Sequence, residues 1–217
     1  MKNFNRKTLI AVLAVVVILA IIAIAGKNSS MKSVANNFDL SLDKKNDEPL
    51  TDTTFALDTF ITVTIYHGGD ENVLKDSLDF IRKYEMVFSA TNPDAELYKL
   101  NHRGKGVMSV KASEDLAYLI DKALYYSKVS NGAFDITTQP LKELWDFNTD
   151  DPKLPSDESI KEALPKVDYT RVSVDGDTIN FTSDDTQIDL GAIAKGYIAD
   201  KTKEFLKSKG VDSAIIN

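Results

Sequence analysis

The sequence predicts an α+β fold, with short-stranded sheets and helices packed against them in a single folded domain. Three observations predict it. Phe60, Thr62, Thr64 and Tyr66 alternate strictly with Ile61, Val63 and Ile65, which is the period of a strand built from β-branched residues. Leu74, Leu78, Ile81 and Phe88 recur at helical spacing, as do Leu116, Leu119, Ile120, Ala123 and Leu124. Two alternating runs, Arg171 to Asp175 and Thr178 to Thr182, flank Asp175-Gly176-Asp177, a strong hairpin signal. A chain of 217 residues, 43% hydrophobic and 27% charged, has ordinary globular composition and the length of one domain, or one domain plus an anchor.

The chain begins with Lys2, Arg6 and Lys7 before an unbroken apolar run from Leu9 to Ala25. That run lies at the lower edge for a spanning helix and is long for the core of a signal peptide. Residues 1–26 therefore read as a transmembrane anchor in preference to a cleaved signal, whose cleavage site would be Ala23-Ile24-Ala25 before Gly26. Positive residues ahead of the run place the globular part outside the cytoplasm. Residues 27–52 are polar without a sustained apolar period and read as a tether.

The folded unit is assigned to residues 53–217, opening with a strand within Phe55 to Tyr66. His67-Gly68-Gly69-Asp70 turns into a helix from Glu71 to Phe88. A short helical turn over Ala95 to Asn101, the turn Arg103 to Gly106 and a strand over Val107 to Val110 follow. Ser113 can cap the next helix, with Glu114 and Asp115 in its first turn, and Asn131-Gly132 ends it. Asp150 to Pro155 is turn-rich, and Ser156 caps a short helix closed by Pro165. After the hairpin come a strand over Ile188 to Leu190, a helix over Ala192 to Lys209 and a strand from Ser213 to Asn217. That last strand has no neighbour after it, so the sequence is expected to be the N-terminal portion of a longer fold.

Composition excludes several functions. A formal charge of −7 argues against a nucleic-acid partner. With no cysteine there is no disulfide, thiolate metal site, cysteine nucleophile or N-terminal cysteine for a lipid. His67 and His102 are too few for a histidine-rich metal site and read as surface residues.

The stretch Gln187 to Asp200 has the parts of a phosphate-handling turn. Asp189 ends an apolar segment, Gly191 permits close backbone approach, and a helix N-terminus with free N–H groups follows. Locally, a corner whose glycines serve only packing is the stronger reading. A nucleotide P-loop is rejected, because Lys195 precedes Gly196 and Tyr197 follows where Ser or Thr is required.

Three blocks read together resemble one family. They are Ala56-Leu57-Asp58-Thr59, then Gly132-Ala133-Phe134-Asp135-Ile136-Thr137 with Pro140-Leu141 and Trp145, then Ile188-Asp189-Leu190-Gly191-Ala192-Ile193-Ala194-Lys195-Gly196-Tyr197-Ile198-Ala199-Asp200. In that order they resemble the FAD:protein FMN transferases of the ApbE type, from about Thr53 to Asn217. The resemblance implies the ApbE-like flavin transferase fold. It also implies a Mg²⁺-dependent reaction that moves FMN from FAD to a threonine or serine hydroxyl of an acceptor protein and releases AMP. Implied acceptors are FMN-binding domains of membrane-associated redox proteins, which suits an enzyme anchored in the cell membrane with its globular domain outside. A protein that holds FAD without transfer, and an inactive fragment, are the alternatives.

Residue by residue, the resemblance implies FAD contacts at Leu57, Thr91, Ala133, Phe134, Asp135, Asp189 and Lys195, and a Mg²⁺ ligand in the backbone carbonyl of Ala192. Leu57 stands for the family's methionine in Met-Gly-Thr, and Asp58 replaces that glycine with its backbone freedom. Thr91 aligns near an aromatic flavin contact of some members without being aromatic, and Gln139 replaces a glycine before Pro-Leu. The resemblance places further metal ligands and a histidine-containing segment beyond Asn217, so no residue here is assigned as catalytic.

Overall fold

A computed structural model describes residues 48–145 and 152–217. The expected anchor at residues 1–26 and the first part of the expected tether lie outside the described residues, among which no helix is long and apolar enough to cross a membrane.

In chain order the elements are β1 (Leu50–Ala56), β2 (Thr59–His67), α1 (Glu71–Phe88), α2 (Glu96–Asn101), β3 (Ser109–Lys111), α3 (Glu114–Val129) and α4 (Gln139–Lys142). They continue with α5 (Asp157–Ala163), β4 (Val172–Asp175), β5 (Thr178–Phe181), α6 (Gly191–Ser208) and β6 (Ser213–Ile216). The strands form two antiparallel three-stranded sheets, ordered β1-β2-β6 and β3-β5-β4. This mixture of separate short sheets and packed helices is the α+β class that the sequence predicts.

Local chemistry explains the helices. The Asp70 carboxylate accepts from the N–H groups of Asn72 and Val73 at 3.0 and 2.9 Å, which starts α1. Ser113 and Ser156 cap α3 and α5 in the same way, at 3.4 and 3.1 Å. α3 ends where Asn131 and Gly132 take φ of 53° and 80° and the Gly132 N–H reaches back to the Ser127 carbonyl at 2.8 Å. Val63 and Ile65 of β2 turn inward and are fully buried. The opposite face of that sheet pairs Thr51 with Thr64, Thr53 with Thr62, and Phe55 with Phe60.

Two expectations need correction. The strand expected within Phe55 to Tyr66 is β2, but Phe55 and Ala56 belong to a second strand, β1, joined to it by the two-residue turn Leu57-Asp58 in a hairpin that pairs Ala56 with Thr59. Both turn residues have positive φ, 53° and 57°, which marks a type I′ turn. The left-handed backbone is therefore kept without glycine, at a steric cost of about 1 kcal/mol per residue. Asp58→Gly is expected to raise stability by up to about 1 kcal/mol, read as a higher urea midpoint. A lower midpoint would contradict this account of the turn.

The second correction concerns Ile188 to Leu190, which joins no sheet. Its backbone is satisfied otherwise. The Asn101 side chain donates to the Ile188 carbonyl at 2.8 Å and accepts from the Ile188 N–H at 2.7 Å. The Asp189 N–H donates to the Ile136 carbonyl at 2.8 Å. A buried amide side chain thus replaces a strand partner.

Candidate functional site

The site forms where α6 begins. Leu190 ends the pinned segment, and Gly191 opens the helix with no cap from the Leu190 side chain. The cap comes from Asp189, whose Oδ1 accepts from the Gly191 N–H at 2.9 Å. A Cβ on Gly191 would lie 3.1 Å from that oxygen, a tight contact that the carboxylate would have to relieve by shifting a few tenths of an ångström. The negative carboxylate is favoured there by the helix dipole. Its other oxygen, Oδ2, accepts from Lys142 Nζ at 2.6 Å. The Asp189 side chain is 15% exposed and that of Lys142 45%, so water reaches the pair and its net worth is about 1 kcal/mol or less.

Residues from distant parts of the chain hold this corner. Arg103 donates to the carbonyls of Thr186 and Ser183 at 2.8 and 2.9 Å, and its guanidinium lies 3.5 Å over the Phe181 ring. Burial pulls the Arg103 pKa below its usual value, while the charge of Asp184 opposes that shift. Asn101, buried, clamps Ile188 from the end of α2. The sequence marks Arg103 only as part of a turn, and its role depends on partners about eighty positions away.

A cleft of about 70 Å³, partly open to solvent, adjoins the corner. Leu57, Asp58, Thr91, Lys142, Asp189 and Lys195 line it, with Phe88 beside them. Four of the expected FAD contacts, Leu57, Thr91, Asp189 and Lys195, therefore share one cavity although they span the domain in sequence. Thr91 is placed by a turn in which the Ser89 hydroxyl accepts from the N–H groups of Thr91 and Asn92 at 3.3 and 3.0 Å. The only sequence signal of Lys142 is a charged side chain two residues after Pro140, next to Glu143.

Phe134 and Ala192 lie on another surface, a mainly apolar groove shared with Tyr126, Val129 and Ile193. Cleft and groove flank the first turn of α6, since Gly191, Ala194 and Lys195 face one and Ala192 and Ile193 the other. Ala133 is exposed in the turn after α3. Asp135 faces inward: Oδ1 accepts from the Thr137 N–H and hydroxyl at 2.7 and 2.6 Å, and Oδ2 from the Tyr169 N–H at 3.0 Å. Gln139 is buried and donates to Glu143 at 3.1 Å, while its Oε1 has no partner among the described residues. His67 is half-buried with an unpartnered Nδ1, unlike the surface residue expected, and His102 stacks on Tyr98 at 3.8 Å.

The residues present fit Mg²⁺ only in part. That ion takes six oxygens in a near-octahedral shell. Among the described residues no group of three or more Asp, Glu or His side chains could hold a metal ion. The backbone carbonyl of Ala192 would be one donor.

Behind the cleft, Phe88, Tyr84 and Tyr197 join α1 to α6 with ring centroids 5.5 to 6.0 Å apart. The Tyr197 hydroxyl donates to Asp115 of α3. Burial, then the Asp115 charge, pushes the Tyr84 phenol up to about 12, and burial with the Asp115 hydrogen bond raises Tyr197 too. The folded state thus keeps these protons at pH values where the unfolded chain loses them. Their stabilisation is complete below an unfolded value of about 10 and declines as pH rises from there through about 12. The melting temperature is expected to fall across that interval, and to fall less steeply in Tyr84→Phe. Parallel pH profiles for the two proteins would contradict the assignment.

The ApbE family model matches residues 57–217. The FAD:protein FMN transferase of Treponema pallidum is 31% identical over 151 residues, 66% of this chain and 41% of that protein. That of Klebsiella pneumoniae is 29% identical over 153 residues, 70% of this chain and 48% of its own. The chain spans about half the length of these curated relatives. Among solved structures, the flavinyl transferase ApbE of Pseudomonas stutzeri, in its apo form, superposes with a TM-score of 0.69 at 25% identity, over 79% of this chain and 58% of that one. The ApbE protein of Thermotoga maritima gives 0.70 at 27% identity, over 78% and 56%.

Proposed function

Because the chain belongs to the ApbE family, we propose that it is a flavin transferase, binding FAD in the cleft at the start of α6 and passing FMN to an acceptor protein. The observation that carries this reading is the convergence of Leu57, Thr91, Asp189 and Lys195 on one cavity at a helix N-terminus. An anionic dinucleotide suits that place, where backbone N–H groups and two lysines offset negative charge.

In the proposed reaction an acceptor threonine or serine oxygen forms a bond to the phosphorus of the FMN half. The bond from that phosphorus to the bridging oxygen breaks, AMP leaves with the bridging oxygen, and the hydroxyl proton passes to a base. Such a transfer depends mainly on positioning and on neutralising charge at the phosphoryl oxygens. Lys195 and Lys142 supply positive charge, and Asp189 fixes the helix start that presents N–H groups. Mg²⁺, when bound, would supply further neutralisation, with the Ala192 carbonyl as one ligand.

The proposed acceptors are FMN-binding domains of membrane-associated redox proteins outside the cytoplasm. The basic flank and apolar run in residues 1–26 support a cell-membrane anchor with the globular domain on that side. The test is to incubate the full chain with FAD, Mg²⁺ and an FMN-domain acceptor. Covalent flavin fluorescence on the acceptor with equimolar AMP is expected. Bound FAD with no AMP and no labelled acceptor would overturn transfer and leave an FAD-binding protein.

A further inference from the structure

We propose that Lys142 is a ligand-positioning residue of the cleft, a second cation beside Lys195 for the diphosphate of the bound dinucleotide; this rests on the FAD reading above. Lys142 ends α4, where the 3₁₀ turn Glu143–Trp145 begins, and its ammonium reaches across to the first turn of α6. An ammonium has three N–H donors, and Asp189 Oδ2 takes one of them at 2.6 Å. Asp189 is the hydrogen-bond acceptor found for Nζ among the described residues, and the side chain lines the cavity. The ammonium is therefore both held in place and able to donate to a second anion.

The ion pair explains how one cleft can contain a carboxylate and still accept phosphate. Asp189 is needed to cap the Gly191 N–H through Oδ1, yet an uncompensated carboxylate would repel a diphosphate. Lys142 neutralises Oδ2, so the cleft keeps the cap without its charge, and with Lys142 and Lys195 set against Asp58 and Asp189 the lining is formally balanced. In a chain whose formal charge is −7, a cleft that Lys142 and Lys195 bring to neutrality repels an anion less than the rest of the surface does. A cation that meets phosphate should also make binding salt-sensitive, because ions screen the contact.

The experiment titrates the full chain with FAD and with riboflavin, which has no phosphate, by flavin fluorescence at low and high ionic strength. Wild type, Lys142→Met and Lys142→Arg are compared. Lys142→Met is expected to weaken FAD about tenfold or more, flatten its salt dependence and leave riboflavin unchanged, with Lys142→Arg recovering most of the loss. Unchanged FAD affinity, or equal losses for FAD and riboflavin, would overturn the proposal. Thermal melting with inorganic pyrophosphate separates the two readings. If wild type binds no flavin but pyrophosphate raises its melting temperature and not that of Lys142→Met, the FAD reading fails and Lys142 stands. If pyrophosphate moves both proteins equally or neither, Lys142 is not an anion contact.

Discussion

Asn101→Ala is expected to destabilise the folded domain by about 2–6 kcal/mol and to weaken ligand binding in the cleft with it. The side chain is buried and meets both the N–H and the carbonyl of Ile188, which is itself fully buried. Removing it strands two backbone groups away from water, at about 1–3 kcal/mol each. Thermal unfolding would read this as a loss of roughly 2–4 °C per kcal/mol for a domain of this size. Binding falls as well because Asp189 is the next residue, and its two oxygens organise the helix start and Lys142. Asn101→Asp should fare no better, since it turns the donor facing the Ile188 carbonyl into a charged acceptor. A melting temperature for Asn101→Ala close to wild type would show that the segment holds its shape without the clamp.

Asp135→Ala is expected to cost about 3 kcal/mol or more of stability. Its carboxylate gathers three donors, two from Thr137 and one from Tyr169, and hydrogen bonds to a charged acceptor are worth about 1.5–3 kcal/mol each. The Thr137 hydroxyl in turn accepts from the Asp168 N–H at 2.8 Å, so the loss spreads through a network linking the 133–137 loop to the approach to β4. With both oxygens engaged inside the chain, Asp135 acts on a ligand through that loop. FAD affinity should therefore fall only as the folded fraction falls. A normal melting temperature combined with lost FAD affinity would instead make the carboxylate a direct contact.

Much of this architecture is legible in the sequence where the determinants are local. The spacing from Leu74 to Phe88 gives α1 at its observed bounds, Ser113 and Ser156 announce α3 and α5, and the glycine in Asp175-Gly176-Asp177 marks the β4–β5 turn. The β1–β2 turn escapes because Leu57 and Asp58 lack the glycine that advertises left-handed backbone, and its conformation is imposed by the pairing on either side. Ile188 to Leu190 imitates a strand because its apolar residues alternate. What satisfies its backbone is an asparagine 87 positions away, which no local pattern contains.

The candidate site divides along the same line. The residue types of Gln187 to Asp200 show a possible anion-binding corner, and the family resemblance picks out Leu57, Thr91 and Lys195 as companions of Asp189; the fold brings these four together. Local sequence cannot show that Asp135 spends its charge on Thr137 and Tyr169, nor that Lys142 reaches Asp189 from another helix. Those facts depend on tertiary packing, and they change the expected behaviour of each residue.

The most direct measurement compares FAD dissociation constants for wild type, Asp189→Ala and Asp200→Ala. Asp200 lies on α6 beyond the cleft, exposed, and its ion-pair partner among the described residues is Lys203 at 3.7 Å. Asp189 caps the helix and anchors Lys142 at the cavity wall. The account predicts FAD binding about tenfold or more weaker in Asp189→Ala and unchanged in Asp200→Ala. Equal affinities for the two variants would contradict the placement of FAD at the start of α6.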